Sequence, residues 1–329
     1  MSNLAPTLQA YMTDRLACQR QASAHTVAAY RDAFKLLLVF AERETGKAPS
    51  KLEVADLDAP LIGAFLKHLE AERSNSVRTR NARLAALHSF FRYASFRHPE
   101  DAATIQRVLA IPQKRFASSL VTYLTEEEIE ALLAATDEVT WTGRRDRAML
   151  ALACQTGLRA SELLSLTVGD VHLGTGAHVS CLGKGRRQRV TPLTAGTAKL
   201  LKAWMSERAG LDADPLFPTR RGAELSRDGL ERRLAKYATI AAHSCPTLIK
   251  KRISPHVMRH SAAMRLVSAG VDIATVALWL GHQNVATTQI YVHADLALKE
   301  RALARTTPKD VKPGRYRPPD KLLRFLEGL

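Results

Sequence analysis

The stretch LAIPQKRFASSLVTYLTEEE, residues 109–128, constrains this chain most, because it interrupts helical patterning on both sides. Pro112 cannot continue a helix without losing a backbone hydrogen bond. The basic pair Lys114–Arg115 and the small residues 117–119 supply no apolar stripe. Thr125, with Glu128 three residues later, then has the form of a capping box, which starts a new helix. A chain of 329 residues can bury two cores. The break therefore predicts one domain over 1–107, a linker over 108–120, a second domain over 121–305 and a tail over 306–329.

The first block reads as four helices. Leu8, Tyr11, Met12 and Leu16 recur at helical spacing, and Ser23 is placed to cap a helix carrying Val27, Tyr30, Phe34, Leu37 and Leu38. Leu61, Ile62, Phe65, Leu66 and Leu69 form a third stripe. In VRTRNARLAALHSFFRYA, Leu84, Leu87 and Phe91 share one side while Arg78, Arg80 and Arg83 lie largely elsewhere, either as a solvated face or against phosphates. The second block predicts helices over 125–136, 144–156, 194–208, 226–242, 255–269 and 272–280. A hairpin with its tip at Gly183-Lys184-Gly185 stands among them. The fold class is mainly α with a small β-sheet.

Hydrophobic residues are 46% of the chain, which excludes a disordered protein. The net charge is +16 and the pI near 10.0, an excess that attracts a polyanion, nucleic acid first, or serves solubility alone. Residues 1–107 carry 15 basic against 11 acidic side chains and the rest 33 against 21, so an anion-handling centre is expected in the second domain. The four cysteines, Cys18, Cys154, Cys181 and Cys245, form no C-x-x-C pair, and neither disulfides nor a cysteine zinc site is expected. The first residues have no signal-peptide pattern and no apolar run reaches spanning length, so a cytoplasmic protein without a membrane is expected.

Ser254-Pro255-His256-Val257-Met258-Arg259-His260 sharpens the question. Histidines four apart on a helix are a zinc spacing, but Val257 stands where a zinc protease helix carries glutamate, and Arg259 opposes a bound cation. Ser254 and Pro255 open a helix well. Its free first-turn amides, with His256 and Arg259 on one side, suit an anion. Arg159 stands where a loop enters a helix, and Glu162 is spaced to orient it. Lys184 lies between glycines at the hairpin tip, His282 follows a glycine at a helix end, and Tyr291 lies nine residues further on.

Taken together, TGLRASELL, LGKGRRQRV, SPHVMRHSAAMRL and LGHQNVATTQIY resemble the ordered signature Arg…Lys…His-x-x-Arg…His/Trp…Tyr of the tyrosine recombinases, the phage-integrase family that includes Xer-type enzymes. The resemblance spans about residues 5–305. It implies an N-terminal SAM-like four-helix DNA-binding domain and a C-terminal tyrosine-recombinase catalytic domain. It also implies catalytic roles for Arg159, Lys184, His256, Arg259, His282 and Tyr291. Arg159 and Arg259 would hold the scissile phosphate and Tyr291 would attack it, leaving a 3′-phosphotyrosyl link. His256 would accept or position the tyrosine proton, Lys184 would protonate the leaving 5′ oxygen, and His282 would hydrogen-bond the phosphate. No cofactor and no metal are implied. The implied partners are double-stranded DNA recombination sites and a homo- or hetero-tetramer of related recombinases.

The uses that follow are integration for a mobile element, Xer-type chromosome-dimer resolution, relaxation of the type IB topoisomerase kind, or DNA binding without catalysis. After several prolines, the tail places Leu322, Leu326 and Leu329 on one stripe of a short helix, with Asp320 as its cap. So short a helix needs a surface, on its own domain or on a neighbouring protomer.

Overall fold

The computed structural model describes residues 3–116, 121–183, 188–282, 287–288 and 291. The chain divides into two compact units, Met1–Ser118 and Ser119–Leu329. Lys184 and the tail helix expected over 320–329 lie outside the described residues. No helix among those described is long and apolar enough to cross a membrane.

In the first unit, α1 (Leu4–Ala10) runs on into a wider π-helical stretch over Tyr11–Gln19. Then come α2 (Ala24–Thr45), α3 (Ala59–Ala71), α4 (Val77–Ala94) and α5 (Ala102–Leu109). Ser23, Asp58 and Ser76 each accept a hydrogen bond from the third backbone N–H of the helix they precede. Such a cap stabilises a helix by about 1 kcal/mol. The apolar stripes meet in one core that includes Leu37, Phe65, Leu84, Leu87 and Phe91. Inside it, the Tyr11 hydroxyl donates to Ser89 Oγ at 2.7 Å.

Two features depart from the sequence reading. The α5 helix is an addition, because its inward residues Ile105 and Val108 make a stripe one turn long, which does not stand out from a loop. Arg80 does not lie on an outer face. It is buried, and its Nη1 donates to the Pro112 carbonyl at 3.1 Å. Asn81 beside it bonds the backbone of Lys114 in both directions, and the Lys114 ammonium pairs with Glu70 at 2.7 Å. The segment after α5 is therefore fastened to its own unit by polar groups of α4 and α3.

The second unit is built around α7 (Trp141–Thr156), in which Ala148 to Cys154 are all buried. A helix apolar on every side must be surrounded, and α7 packs against α9 (Ala195–Arg208) and α11 (Pro255–Ser268). α6 (Glu126–Ala134) packs on α10 (Arg227–Ala241). The expected box at the start of α6 is present, with Thr125 Oγ1 accepting from Glu128 N–H and Glu128 Oε2 from Thr125 N–H. α8 (Ala160–Leu164) follows α7 closely, and α12 (Ile273–Leu280) follows α11. The antiparallel sheet has the order β1 (Val171–His172), β2 (His178–Leu182), β3 (Gln188–Pro192). The sequence showed the β2–β3 hairpin, but a two-residue strand such as β1 leaves no periodic trace.

One polar cluster sits inside this core. Arg145 and Asp146 both have 0% side-chain exposure and pair at 2.6 Å. The Asp146 carboxylate also accepts from the Tyr237 hydroxyl at 2.7 Å, and Arg145 Nη1 donates to the Pro218 carbonyl at 2.7 Å. Removing one member leaves a buried charge without its counterpart. Asp146→Ala is therefore expected to lower the unfolding free energy by about 3–5 kcal/mol in a denaturant titration. A loss below about 1 kcal/mol would show that the Asp146 contacts, with Arg145 and with Tyr237 of α10, do not hold this core together.

Candidate active site

The last carbonyls of a helix have no partner within it. At the end of α12 these groups gather arginines. Gly281 turns the chain with φ +65, and the carbonyls of Leu280 and Gly281 are left free to accept. Arg259 Nη2 donates to Leu280 O at 2.7 Å, Arg189 Nη1 donates to the same oxygen, and Arg159 Nη2 donates to Gly281 O at 3.0 Å. The negative end of the helix dipole favours this cationic company.

Each arginine is aimed by its own element. Arg159 caps α8, where Glu162 Oε2 accepts its backbone N–H at 2.8 Å and Oε1 accepts its Nη1 at 2.6 Å. Arg259 stands on the second turn of α11, whose start is capped by Ser254 Oγ and opened by Pro255. Its Nη1 donates to the Gly157 carbonyl at 2.7 Å. Gly157 has φ +64, and a Cβ there would stand 2.7 Å from Leu280 Cδ2. Only glycine lets α7 end this close to α12. Arg189 lies on β3 and gives its Nη2 to Glu162 Oε2 at 2.7 Å.

Among the described residues, Arg159 and Arg189 thus share the one carboxylate of Glu162, while Arg259 pairs only with carbonyl oxygens. Arg259 is 4% exposed, and burial, then Arg159 and Arg189, push its pKa down to about 10. The pocket is short of negative charge, which is the condition of a site that binds an anion.

The tyrosine lies beside it. Tyr291 is 1% exposed and packs with Ala263, Met264, Val267, Val276 and Leu280. Burial raises the pKa of its hydroxyl, against a lowering by Arg259. That hydroxyl is 2.9 Å from Nδ1 of His260. His256 does not hold it; the His256 ring stacks on His260 with centroids 6.2 Å apart. Sequence reasoning gave the proton to His256 because that residue belongs to the family signature. The geometry gives the contact to His260, one helical turn further on. His282 joins its Nδ1 to Thr288 Oγ1 at 2.7 Å.

The structure therefore brings together Arg159, His256, Arg259, His282 and Tyr291, while Lys184 lies outside the described residues. Arg189 was missed. In GKGRRQRV it is one of four basic residues, and the available signal is strand parity. Arg189 shares the inner face of β3 with the buried Thr191, and a cation on an inner face needs a reason.

The histidines carry a testable pH signature. Burial, followed by His256 and Arg259, lowers His260 to about 4, and burial, followed by Arg259 and Arg159, lowers His282 to about 4. In the unfolded chain both titrate near the ordinary value of about 6.5. Between these values the unfolded state binds more protons, so stability is fully present above about pH 6.5 and declines as pH falls toward 4. Thermal unfolding is expected to show Tm dropping over that window, with a flatter profile in His260→Asn/His282→Asn. An unchanged slope in the double variant would remove these rings from the linkage.

Comparison with known proteins matches this arrangement. The phage integrase family matches residues 122–297, and the phage integrase N-terminal SAM-like domain matches residues 8–98. An integrase/recombinase of Sinorhizobium fredii is 52% identical over 328 residues, covering 100% of this chain and 99% of the relative. Tyrosine recombinase XerD of Pseudomonas putida is 34% identical over 231 residues, 69% of this chain and 74% of the relative. Two solved structures share the fold. The site-specific recombinase XerH bound to its difH substrate has a TM-score of 0.65 at 24% identity, covering 87% of this chain and 81% of that one. The Tn1549 transposon integrase with circular-intermediate DNA has a TM-score of 0.69 at 16% identity, covering 93% of this chain and 100% of that one. The chain belongs to the phage integrase family, the tyrosine recombinases.

Proposed function

We propose that this protein cuts and rejoins double-stranded DNA at specific sites through a covalent phosphotyrosine at Tyr291. The observation that carries the reading is the excess of guanidinium charge at the end of α12, beside a tyrosine hydroxyl held by a neutral imidazole. Arg159 and Arg259 take the non-bridging oxygens of the scissile phosphate and gain strength as charge accumulates on them. Tyr291 Oη forms a bond to phosphorus and the bond to the 5′ oxygen breaks, leaving a 3′-phosphotyrosyl link. The tyrosine proton goes to His260 Nδ1, with His256 stacked behind it, and Lys184 delivers a proton to the departing 5′ oxygen. His282 holds the phosphate. A 5′ hydroxyl from the partner duplex reverses the step, so bonds of one kind are exchanged and no nucleotide is consumed.

In this conformation the hydroxyl is buried, so the segment bearing Tyr291 has to shift when a duplex enters. The protein works in the cytoplasm as a tetramer on two duplexes. A relative matched over the whole chain is named an integrase/recombinase, which favours movement of a DNA element over resolution of chromosome dimers.

The test is covalent trapping. Sheared DNA from the source genome, nicked sparsely with DNase, lets a short fragment diffuse away after cleavage and leaves protein on the DNA. Denatured adducts are recovered and their DNA sequenced. Ends of a mobile element are the expected sequences, and a single chromosomal site would move the assignment to dimer resolution. Tyr291→Phe is expected to bind the recovered duplex within about threefold of wild type and to yield no adduct, since no other hydroxyl is offered at that position. Adduct at the wild-type yield from this variant would contradict the assignment.

A further inference from the structure

We infer that Arg189 is a positioning residue for strand cleavage, one that keeps Glu162 from neutralising Arg159. The inference rests on the recombinase reading above. Glu162 is 4% exposed and divides its two oxygens. Oε1 takes Nη1 of Arg159, while Oε2 takes the Arg159 backbone N–H and Nη2 of Arg189. An unhindered arginine and carboxylate prefer a bidentate pair, two parallel N–H···O bonds. Arg189 occupies the oxygen that such a pair needs. Arg159 is left with one guanidinium nitrogen on Glu162 and another on Gly281 O, and its side chain keeps 29% exposure. A guanidinium so divided still has N–H groups and net charge to give to a phosphate.

Three further observations show that Arg189 is built into the site. Its side chain is only 12% exposed, so its charge is held against desolvation by these contacts and is not a surface ornament. Its Nη1 reaches Leu280 O, the oxygen that also receives Arg259. That approach needs Gly281, since a Cβ there would stand 2.5 Å from Arg189 Nη1. Finally, Arg189 sits opposite Cys181 in the β2–β3 ladder, and the loop joining these strands contains Lys184. One side chain thus ties the turn end of the β2–β3 ladder to the α8 residue that orients Arg159 and to the α12 turn that leads into His282. Removing it frees Glu162 to close on Arg159 with both oxygens and lowers the positive charge open to the phosphate.

The experiment uses the full chain and nicked duplexes recovered by the trapping described above. It follows adduct formation in wild type, Arg189→Met, Arg159→Ala and the double variant, with duplex affinity and thermal unfolding measured alongside. Arg189→Met is expected to slow adduct formation by about 10–100-fold, since misplacing a reacting group by about 1 Å costs on the order of 10²-fold, while duplex affinity stays within about threefold. If Arg189 acts through Arg159, the double variant is no slower than Arg159→Ala alone. A residue that merely stabilises the fold would not show that non-additivity. Arg189→Lys keeps the charge but has a single ammonium for two partners, and should be slowed by roughly 3–10-fold with Tm near wild type. Should Arg189→Met fail to fold, Arg189→Lys decides: slowed cleavage at unchanged Tm supports the inference and wild-type cleavage overturns it. Wild-type rates in Arg189→Met, or multiplied losses in the double variant, also overturn it. Absence of any adduct from the wild-type protein would instead sink the recombinase reading itself.

Discussion

The end of one short helix organises this protein's chemistry. The carbonyls of Leu280 and Gly281 have no helical partners, and three guanidiniums satisfy them. These come from a helix cap, a helix interior and a strand. Without those acceptors the arginines would repel one another, and Arg259 would be buried beside like charge. A helix C-terminus offers partial negative charge without an ionised group. It therefore gathers cations without cancelling them, as carboxylates would. Glu162 is the one carboxylate among the described partners, and it is shared between two arginines.

The tyrosine and its neighbours follow from the same arrangement. Arg259 is fixed by α7 through Gly157 O and by α12 through Leu280 O, so α11 is held where His260 meets Tyr291. Burial first, and then the neighbouring positive charge, keep the nearby imidazoles neutral, and a neutral Nδ1 can accept a proton from the tyrosine hydroxyl. The hydroxyl's own pKa is raised by burial. Under the proposed mechanism, cleavage needs both a phosphate in the pocket and a shift of the tyrosine toward it.

Much of this was legible in the residues. The caps at Ser23, Thr125 and Ser254 were readable because capping is local, a side chain bonding an amide three positions away. The stripes of α2, α3 and α4 showed because each is several turns long. α5 and β1 did not, since Ile105 with Val108 and the pair Val171–His172 are too short to make a period. Among the site residues, Arg159, His256, Arg259, His282 and Tyr291 were readable as an ordered set, whereas their partners were not. Arg189 and Leu280 O are 91 positions apart, and no local rule relates them. Arg80 misled for a similar reason: its partner Pro112 lies 32 residues away, in a segment whose path the pattern does not reveal. The exchange of His256 for His260 on the tyrosine depends on which helical turn faces Tyr291, and tertiary packing decides that.

By this reading, the guanidiniums at the end of α12 form an anion pocket short of negative charge. Its most direct test is a crystal of the protein soaked in tungstate, a tetrahedral oxyanion whose anomalous signal locates it without ambiguity. The expected result is tungstate oxygens within hydrogen-bond distance of Arg159 and Arg259, and no such density in Arg259→Ala crystals. An empty pocket at saturating tungstate, or the same density in the variant, would contradict the account.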